Sequence, residues 1–161
     1  MADASIKVGT TTQIVHVGSG TSLAANAFMP SSDVSTALTS TNLALYPRAD
    51  IQLFIKHTAT MSSASQSVYL YRRDLNFDGT GDEPVPNSAT NTLYKAKFIG
   101  AFTAQPQSAT SNSHSSYMQI VDVPLPGNCE CEFYIENGTN TSILAGWTLK
   151  VLPKTDVGAT A

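Results

Sequence analysis

The stretch SILAGWTLKVL, residues 142–152, decides the fold class of this chain. Apolar residues occupy every second position of the stretch: Ile143, Ala145, Trp147, Leu149 and Val151. Side chains two positions apart on an extended strand point to the same face, so the pattern predicts a strand with one buried and one solvated face. An amphipathic helix would need apolar residues three and four positions apart. Because Trp147 lies on the apolar face, we expect it to pack in a core and not to stack on a sugar.

The same period-two alternation recurs along most of the chain, and helical spacing of apolar residues is rare. We predict about eight strands, which lie at residues 11–17, 35–46, 49–59, 66–73, 93–102, 117–125, 129–137 and 142–152. Clusters of glycine and proline separate them, as expected for turns. The chain is therefore predicted to be all-β, a single-domain antiparallel β-sandwich that is jelly-roll-like.

Two local patterns give finer expectations about these strands. In IENGTNTSI, the Asn137-Gly138 pair is typical of a tight hairpin, which would join the last two strands. In LYKAKFIGAF, residues 93–102, strict alternation places Phe98 and Phe102 on one face.

The length of 161 residues suits one domain with its own core. We expect the sandwich to span residues 10–155, with an N-terminal strand or arm at 1–20 and a flexible C-terminal tail at 156–161. The opening MADASIKVG lacks a basic region followed by an apolar run, and no stretch approaches about 18 apolar residues. Synthesis in the cytoplasm, without secretion and without a membrane partner, is therefore expected.

The composition describes a neutral surface rich in hydroxyl groups. Charged residues make up 13% of the chain, about half the usual share. The chain has 18 Ser and 19 Thr, and its net charge is -3. The nine basic residues are scattered, whereas nucleic acid binding needs clustered Lys and Arg. Such a surface favours broad contact with another protein and argues against a nucleic acid partner.

The stretch RRDLNFDGTGDEP, residues 72–84, is the one part of the sequence that resembles a ligand site. Oxygen-bearing residues at alternate positions around a glycine can bind calcium. The predicted calcium ligands are Asp74, Asn76, Asp78, Thr80 and Asp82. Val85 stands where a calcium loop normally has a bidentate glutamate, so a second interpretation stays open. In that interpretation the stretch is a polar turn whose Asp and Asn side chains bond to the backbone.

Among other residues of catalytic type, Asp50, Asp122 and Asp156 are predicted to be isolated. No pattern pairs His16, His57 or His114 with a nucleophile, so we expect them to be surface or satisfied strand residues. Cys129 and Cys131, two positions apart, lie at the far edge of disulfide geometry in a strand. We expect them to face the core as small apolar residues. No catalytic residue is predicted, and the chain is not expected to be an enzyme.

Two passages, VYLYRRDLNFDGTGDEPVPNSATNTLYKAKFIGAF and VPLPGNCECEFYIENGTNTSILAGWTLKVLPKT, resemble a family of tailed-bacteriophage capsid decoration, or cement, proteins. The resemblance covers roughly residues 45–155. It implies a β-sandwich that docks on the outer surface of the assembled shell and contacts the major capsid protein. It also implies self-association as a dimer or trimer around symmetry axes. The family offers no catalytic residues to transfer.

A second function belongs to a different class of protein. The alternative to a decoration protein is a calcium-dependent carbohydrate-binding or adhesion module of a phage tail or baseplate. That function requires the loop at residues 74–82 to hold metal beside exposed aromatic side chains. Melting with calcium and with chelator, together with a glycan-binding assay, discriminates between the two.

Overall fold

A computed structural model describes residues 5–8, 13–17, 21–34, 46–57, 66–76, 80–86, 97–104, 114–127 and 129–157. These residues contain a short 3-10 helix (Ser31–Asp33) and eight strands: β1 (Ser5–Val8), β2 (Gln13–Val17), β3 (Arg48–His57), β4 (Ser67–Asp74), β5 (Phe98–Thr103), β6 (His114–Pro124), β7 (Cys131–Asn137) and β8 (Thr148–Val157). All pairings between these strands are antiparallel. The predicted all-β fold is confirmed.

The strands form two sheets. In the larger sheet β1 and β2 both pair with β8, which is followed by β3 and then β6; the smaller sheet has the order β5-β4-β7. Residues 26–29 lie against the other side of β7, through an isolated bridge between Phe28 and Glu136. Met29 N donates to the Ile135 carbonyl at 3.0 Å in the same place. With this segment counted as a short strand, the order in both sheets is that of a jelly roll.

The core fills the space between the two sheets. Strand β3 alternates strictly between buried positions, which face the core, and half-buried or exposed positions, which face outward. Trp147 is fully buried, which confirms its predicted place in the core. Each large apolar side chain removed from water contributes roughly 1.5–3 kcal/mol. The largest buried apolar members are Trp147, Phe102, Phe133, Met29, Ile51, Leu53, Ile55 and Leu70.

The predicted strand at residues 142–152 begins later than expected. Strand β8 starts at Thr148, because Gly146 has a φ of +87° and turns the chain immediately before it. Ala145 is consequently exposed, whereas Ile143, Trp147 and the alternate residues of β8 are buried as predicted. At its other end β8 continues to Val157, so the first two residues of the predicted C-terminal tail belong to the strand.

The predicted common face for Phe98 and Phe102 is wrong. Phe98 pairs with Tyr71 and Gly100 pairs with Leu70, so one extra residue interrupts the β4–β5 register. Such a bulge reverses the face to which the residues beyond it point. Phe102 is therefore buried in the core while Phe98 is exposed.

The predicted hairpin at Asn137-Gly138 is also wrong, because β7 and β8 belong to different sheets. The Asn137 side chain is fully buried and serves as an anchor between chain segments. Its amide nitrogen donates to the carbonyls of Leu23, Ala24 and Thr141 at 2.8–3.1 Å. Its amide oxygen accepts from the backbone N–H of Thr139 at 3.1 Å. An amide with these hydrogen bonds stabilises the segment that crosses from one sheet to the other. It does not form a two-residue turn.

Some expectations fall outside the described residues: most of the predicted strand at 35–46, the calcium ligand Asp78 and residues 158–161. The proposed N-terminal segment, residues 1–20, includes β1 and β2, which both pair with β8. Within the described ranges, the protein has no helix that is long and apolar enough to span a membrane.

Candidate functional site

The predicted calcium loop begins where β4 ends, at Asp74. Both oxygens of the Asp74 carboxylate are paired with cations: Oδ1 lies 2.7 Å from Arg72 Nε, and Oδ2 lies 2.9 Å from Lys97 Nζ. Burial raises the pKa of Asp74, but the hydrogen bonds from Lys97 and Arg72 outweigh burial and hold it below its ordinary value. The carboxylate is therefore ionised and neutralised by the protein itself.

Asn76 closes the loop through hydrogen bonds to the backbone. Its own N–H donates to Asp82 Oδ1 at 2.8 Å, and its side-chain amide donates to the carbonyls of Thr80 and Gly81, both at 2.8 Å. Gly81 has a φ of +68°, a conformation that glycine adopts without strain. These contacts are those expected of the polar turn.

The remaining charges of the loop form one network with β4 and β7. Glu83 Oε1 pairs with Lys97 Nζ at 2.9 Å, and Glu83 Oε2 accepts from the Asp74 N–H at 3.1 Å. Arg73 Nη1 pairs with Glu132 Oε2 at 2.7 Å and its Nη2 lies 3.9 Å from Asp82 Oδ2. We call Arg72, Arg73, Asp74, Asp82, Glu83, Lys97 and Glu132 the end network.

The end network occupies the carboxylates that calcium would need as ligands in this loop. In the described part of the chain, no group of three or more His, Cys, Asp or Glu side chains is arranged to hold a metal ion. The carboxylates of Asp74 and Asp82 face arginine and lysine, and Asp78 lies outside the described residues. Calcium binding at this loop stays a prediction.

A second network joins residues that were predicted to be isolated, so that prediction is wrong for Asp50 and Asp122. Lys154 Nζ lies 2.6 Å from Asp50 Oδ1 and 2.7 Å from Asp122 Oδ1. The hydrogen bonds that Lys154 donates to Asp122 and Asp50 raise the pKa of Lys154. Asp122 has a φ of +56° and sits in a bulge of β6, where its N–H donates to Asp50 Oδ1 at 3.0 Å. Lys154 of β8 thus binds both Asp50 of β3 and the bulge residue Asp122 of β6. Sequence spacing does not reveal this contact.

The two cysteines differ in their surroundings. Cys131 is fully buried as predicted, and burial raises the pKa of its thiol to about 12. Cys129 is half-buried, and burial also raises the pKa of its thiol. Both are free thiols. Such thiols are poor nucleophiles at neutral pH because the thiolate is the reactive form.

The histidines lie on strands of the larger sheet. His57 is buried at the end of β3, and its register partner on β6 is His114. His16 lies on β2, at the position that pairs with Leu149 of β8.

Exposed apolar side chains lie on strands β5 and β6. Among the described residues, the large apolar side chains that are exposed are Tyr117 (72%), Val121 (60%) and Phe98 (48%). Tyr117 and Val121 lie on β6, and Phe98 lies on β5. The Tyr117 ring stacks on Phe54 of β3 with 4.6 Å between centroids, and the Lys56 ammonium lies 5.6 Å from the centroid of the Phe54 ring. Strands β5 and β6 therefore expose apolar area to solvent.

Comparisons with known proteins do not assign the chain to a family. No family model and no curated protein matches the chain. One solved structure, described as that of a candidate glycoside hydrolase from Bacteroides vulgatus, is similar with 9% sequence identity and a TM-score of 0.28. The match covers 76% of this chain and 55% of that one, so the chain spans about half of its length. A likeness this weak carries no argument about fold or activity.

Proposed function

We propose that this chain is a structural virion protein that binds the outer surface of an assembled phage capsid and stabilises it, without catalysing a reaction. The family resemblance of residues 45–155 supplies the partner, the major capsid protein. The observation that supports a binding role is the different use of charged and apolar side chains among the described residues. Acidic and basic groups pair with one another and hold the sandwich together, while the exposed large apolar side chains lie on β5 and β6.

The end network and the Lys154 network support this role in a further way. The Arg73–Glu132 pair joins β4 to β7, and the Lys154 pairs join β8 to β3 and β6. In addition, Arg72 Nη1 donates to the Pro124 carbonyl of β6 at 3.0 Å and so links the two sheets. A rigid body of this kind loses little conformational entropy on docking. The resemblance implies that it docks on the outside of the virion.

Stabilisation of the shell would follow from mass action. A protein that binds the assembled shell, and not its free subunits, lowers the free energy of the assembled state by its binding free energy. Because the shell repeats the same site many times, a modest affinity at each site adds to a large total. Self-association as a dimer or trimer would raise the effective concentration of the second contact.

The direct test is co-sedimentation of the purified protein with capsids that lack it. We expect saturable uptake in a fixed ratio to the shell lattice, and greater resistance of the loaded shells to heating. Capsids that already carry their full complement provide the control, since they should take up none. Absence of saturable uptake by the bare capsids would contradict the proposal.

A further inference from the structure

Strand β6 is the last strand of the larger sheet, and within the described residues its ladder runs only to β3. Strand β5 is likewise the last strand of the smaller sheet, and its Gly100 faces the side chain of Ile120 on β6. The two strands therefore form one margin of the sandwich, the β5–β6 edge. All three exposed large apolar side chains of the described residues lie on it.

In the part of the chain that the structure describes, strand β6 lacks the usual protection against strand pairing. Natural edge strands carry lysine, proline or bulges that prevent another chain from adding to the sheet. The run SSYMQIV, residues 115–121, contains no charge and no proline. The bulge, Asp122 and Pro124 come only at its end, so they limit the pairing segment without blocking it.

We propose that β6 pairs with β6 of a second copy of this chain, antiparallel and about a two-fold axis at Gln119. In this register Tyr117 lies opposite Val121 of the second copy, and Met118 lies opposite Ile120 of the second copy. The two exposed apolar residues of β6 thereby cover each other on one face. Aromatic and β-branched side chains form favourable cross-strand pairs of this kind.

The axis is placed at Gln119 because the neighbouring register pairs the exposed side chains less well. An axis at Met118 would place Tyr117 opposite Gln119 and would leave Val121 opposite Ser115. Only the axis at Gln119 buries both exposed side chains while pairing the two glutamine amides with each other. A run without charge also pairs with itself without electrostatic repulsion, which favours a second copy as the occupant of this edge.

The β6 dimer rests on the proposed function, and it specifies the surface and the strand register of the self-association expected there. Its test is the mass of the full chain in solution, measured by light scattering after size-exclusion chromatography over a range of concentrations. We expect a dimer, which Gln119→Lys and Gln119→Glu each weaken by roughly tenfold or more, because like charges then meet at the axis. An equimolar mixture of the two variants should recover the dimer, since the charges at the axis are then opposite.

The matched control is Gln52→Lys, which adds the same charge to the same sheet face, one strand away from the edge. It should leave the dimer intact, and circular dichroism should report the same fold for all variants. A monomeric or trimeric wild type, or a mixture that stays monomeric, would overturn the inference. So would a Gln119→Lys protein that dimerises normally. A wild-type monomer that still binds capsids would overturn this inference alone and leave the proposed function standing.

Discussion

The backbone of Gly138 passes directly against the ring of Tyr69, so closely that a methyl group on Gly138 would overlap the ring. The same methyl would come within 2.8 Å of the Ser67 carbonyl, which belongs to the backbone of β4 and cannot rotate away. The glycine of the Asn-Gly pair is therefore needed for close packing, at the point where the chain leaves β7 for the other sheet.

We predict that Gly138→Ala lowers the free energy of unfolding by about 1–3 kcal/mol, because it overpacks this contact. Chemical denaturation measures the change. Gly127→Ala is the matched control, since a methyl group at Gly127 would meet nothing within 4 Å. Equal stability of the two variants would show that the approach of Gly138 to Tyr69 relaxes without cost.

The buried amide of Asn137 provides a second prediction. Asn137→Ala removes the donor from three carbonyls and the acceptor from the Thr139 N–H, so buried polar groups lose their partners. We expect a loss of roughly 2–4 kcal/mol in the free energy of unfolding. The exposed Asn140 offers the control, for which Asn140→Ala should change stability by about 0.5 kcal/mol or less. A loss below 1 kcal/mol at position 137 would mean that water replaces the amide.

The pKa of the Cys131 thiol, raised to about 12 by burial, predicts a loss of stability in alkali. The folded state keeps the proton that the unfolded state releases near pH 8.5–9, so the contribution is complete below that pH and declines up to about pH 12. In this window one such group contributes a slope of about 1.4 kcal/mol per pH unit.

Melting temperatures between pH 8 and 11 test the assignment. Wild type should lose stability with rising pH more steeply than Cys131→Ala, whatever their difference at pH 7. Thiol titration of the native protein should modify the half-buried Cys129 first, and Cys131 only on unfolding. Parallel pH profiles of wild type and Cys131→Ala would rule out Cys131 as the source of the slope.

The calcium loop allows a direct test. We predict that the melting temperatures in millimolar calcium and in chelator differ by little. The reason is that calcium must displace Arg72 and Lys97 from Asp74, and Arg73 from Asp82. A rise of several degrees with calcium that disappears in Asp78→Asn would instead establish the loop as a calcium site. The same result would strengthen the adhesion-module function, and a glycan-binding assay would then be decisive.

Residue alternation was sufficient to predict most of the described strands, because burial on one face leaves a period of two in the sequence. Ile51, Leu53 and Ile55 of β3 show this directly, and all three are fully buried. Alternation failed where a bulge or a turn interrupts it: at Phe98, which the β4–β5 bulge exposes, and at Ala145, which Gly146 turns outward.

The candidate site was less predictable for a different reason. The spacing of oxygen-bearing residues in 72–84 identified a loop rich in internal bonds, but the cations that pair with them come partly from elsewhere. Lys97 lies 23 positions beyond Asp74, and Lys154 lies 32 positions beyond Asp122. Contacts over such separations depend on strand order, which no local pattern records. The same limit applies to the β5–β6 edge, since the two strands become neighbours only when the two sheets pack.

The pairing of β1 with β8 has a practical consequence. Ser5 lies opposite Val157, so the two ends of the described chain are neighbours in the sheet, while β6 closes the far side of the same sheet. A peptide fused beyond either end would therefore leave the sheet at neighbouring positions. These positions lie on the opposite side of the sheet from β6, the strand proposed to form the dimer. A short linker joining those ends would also permit circular permutation, which makes this fold a convenient carrier for peptide display.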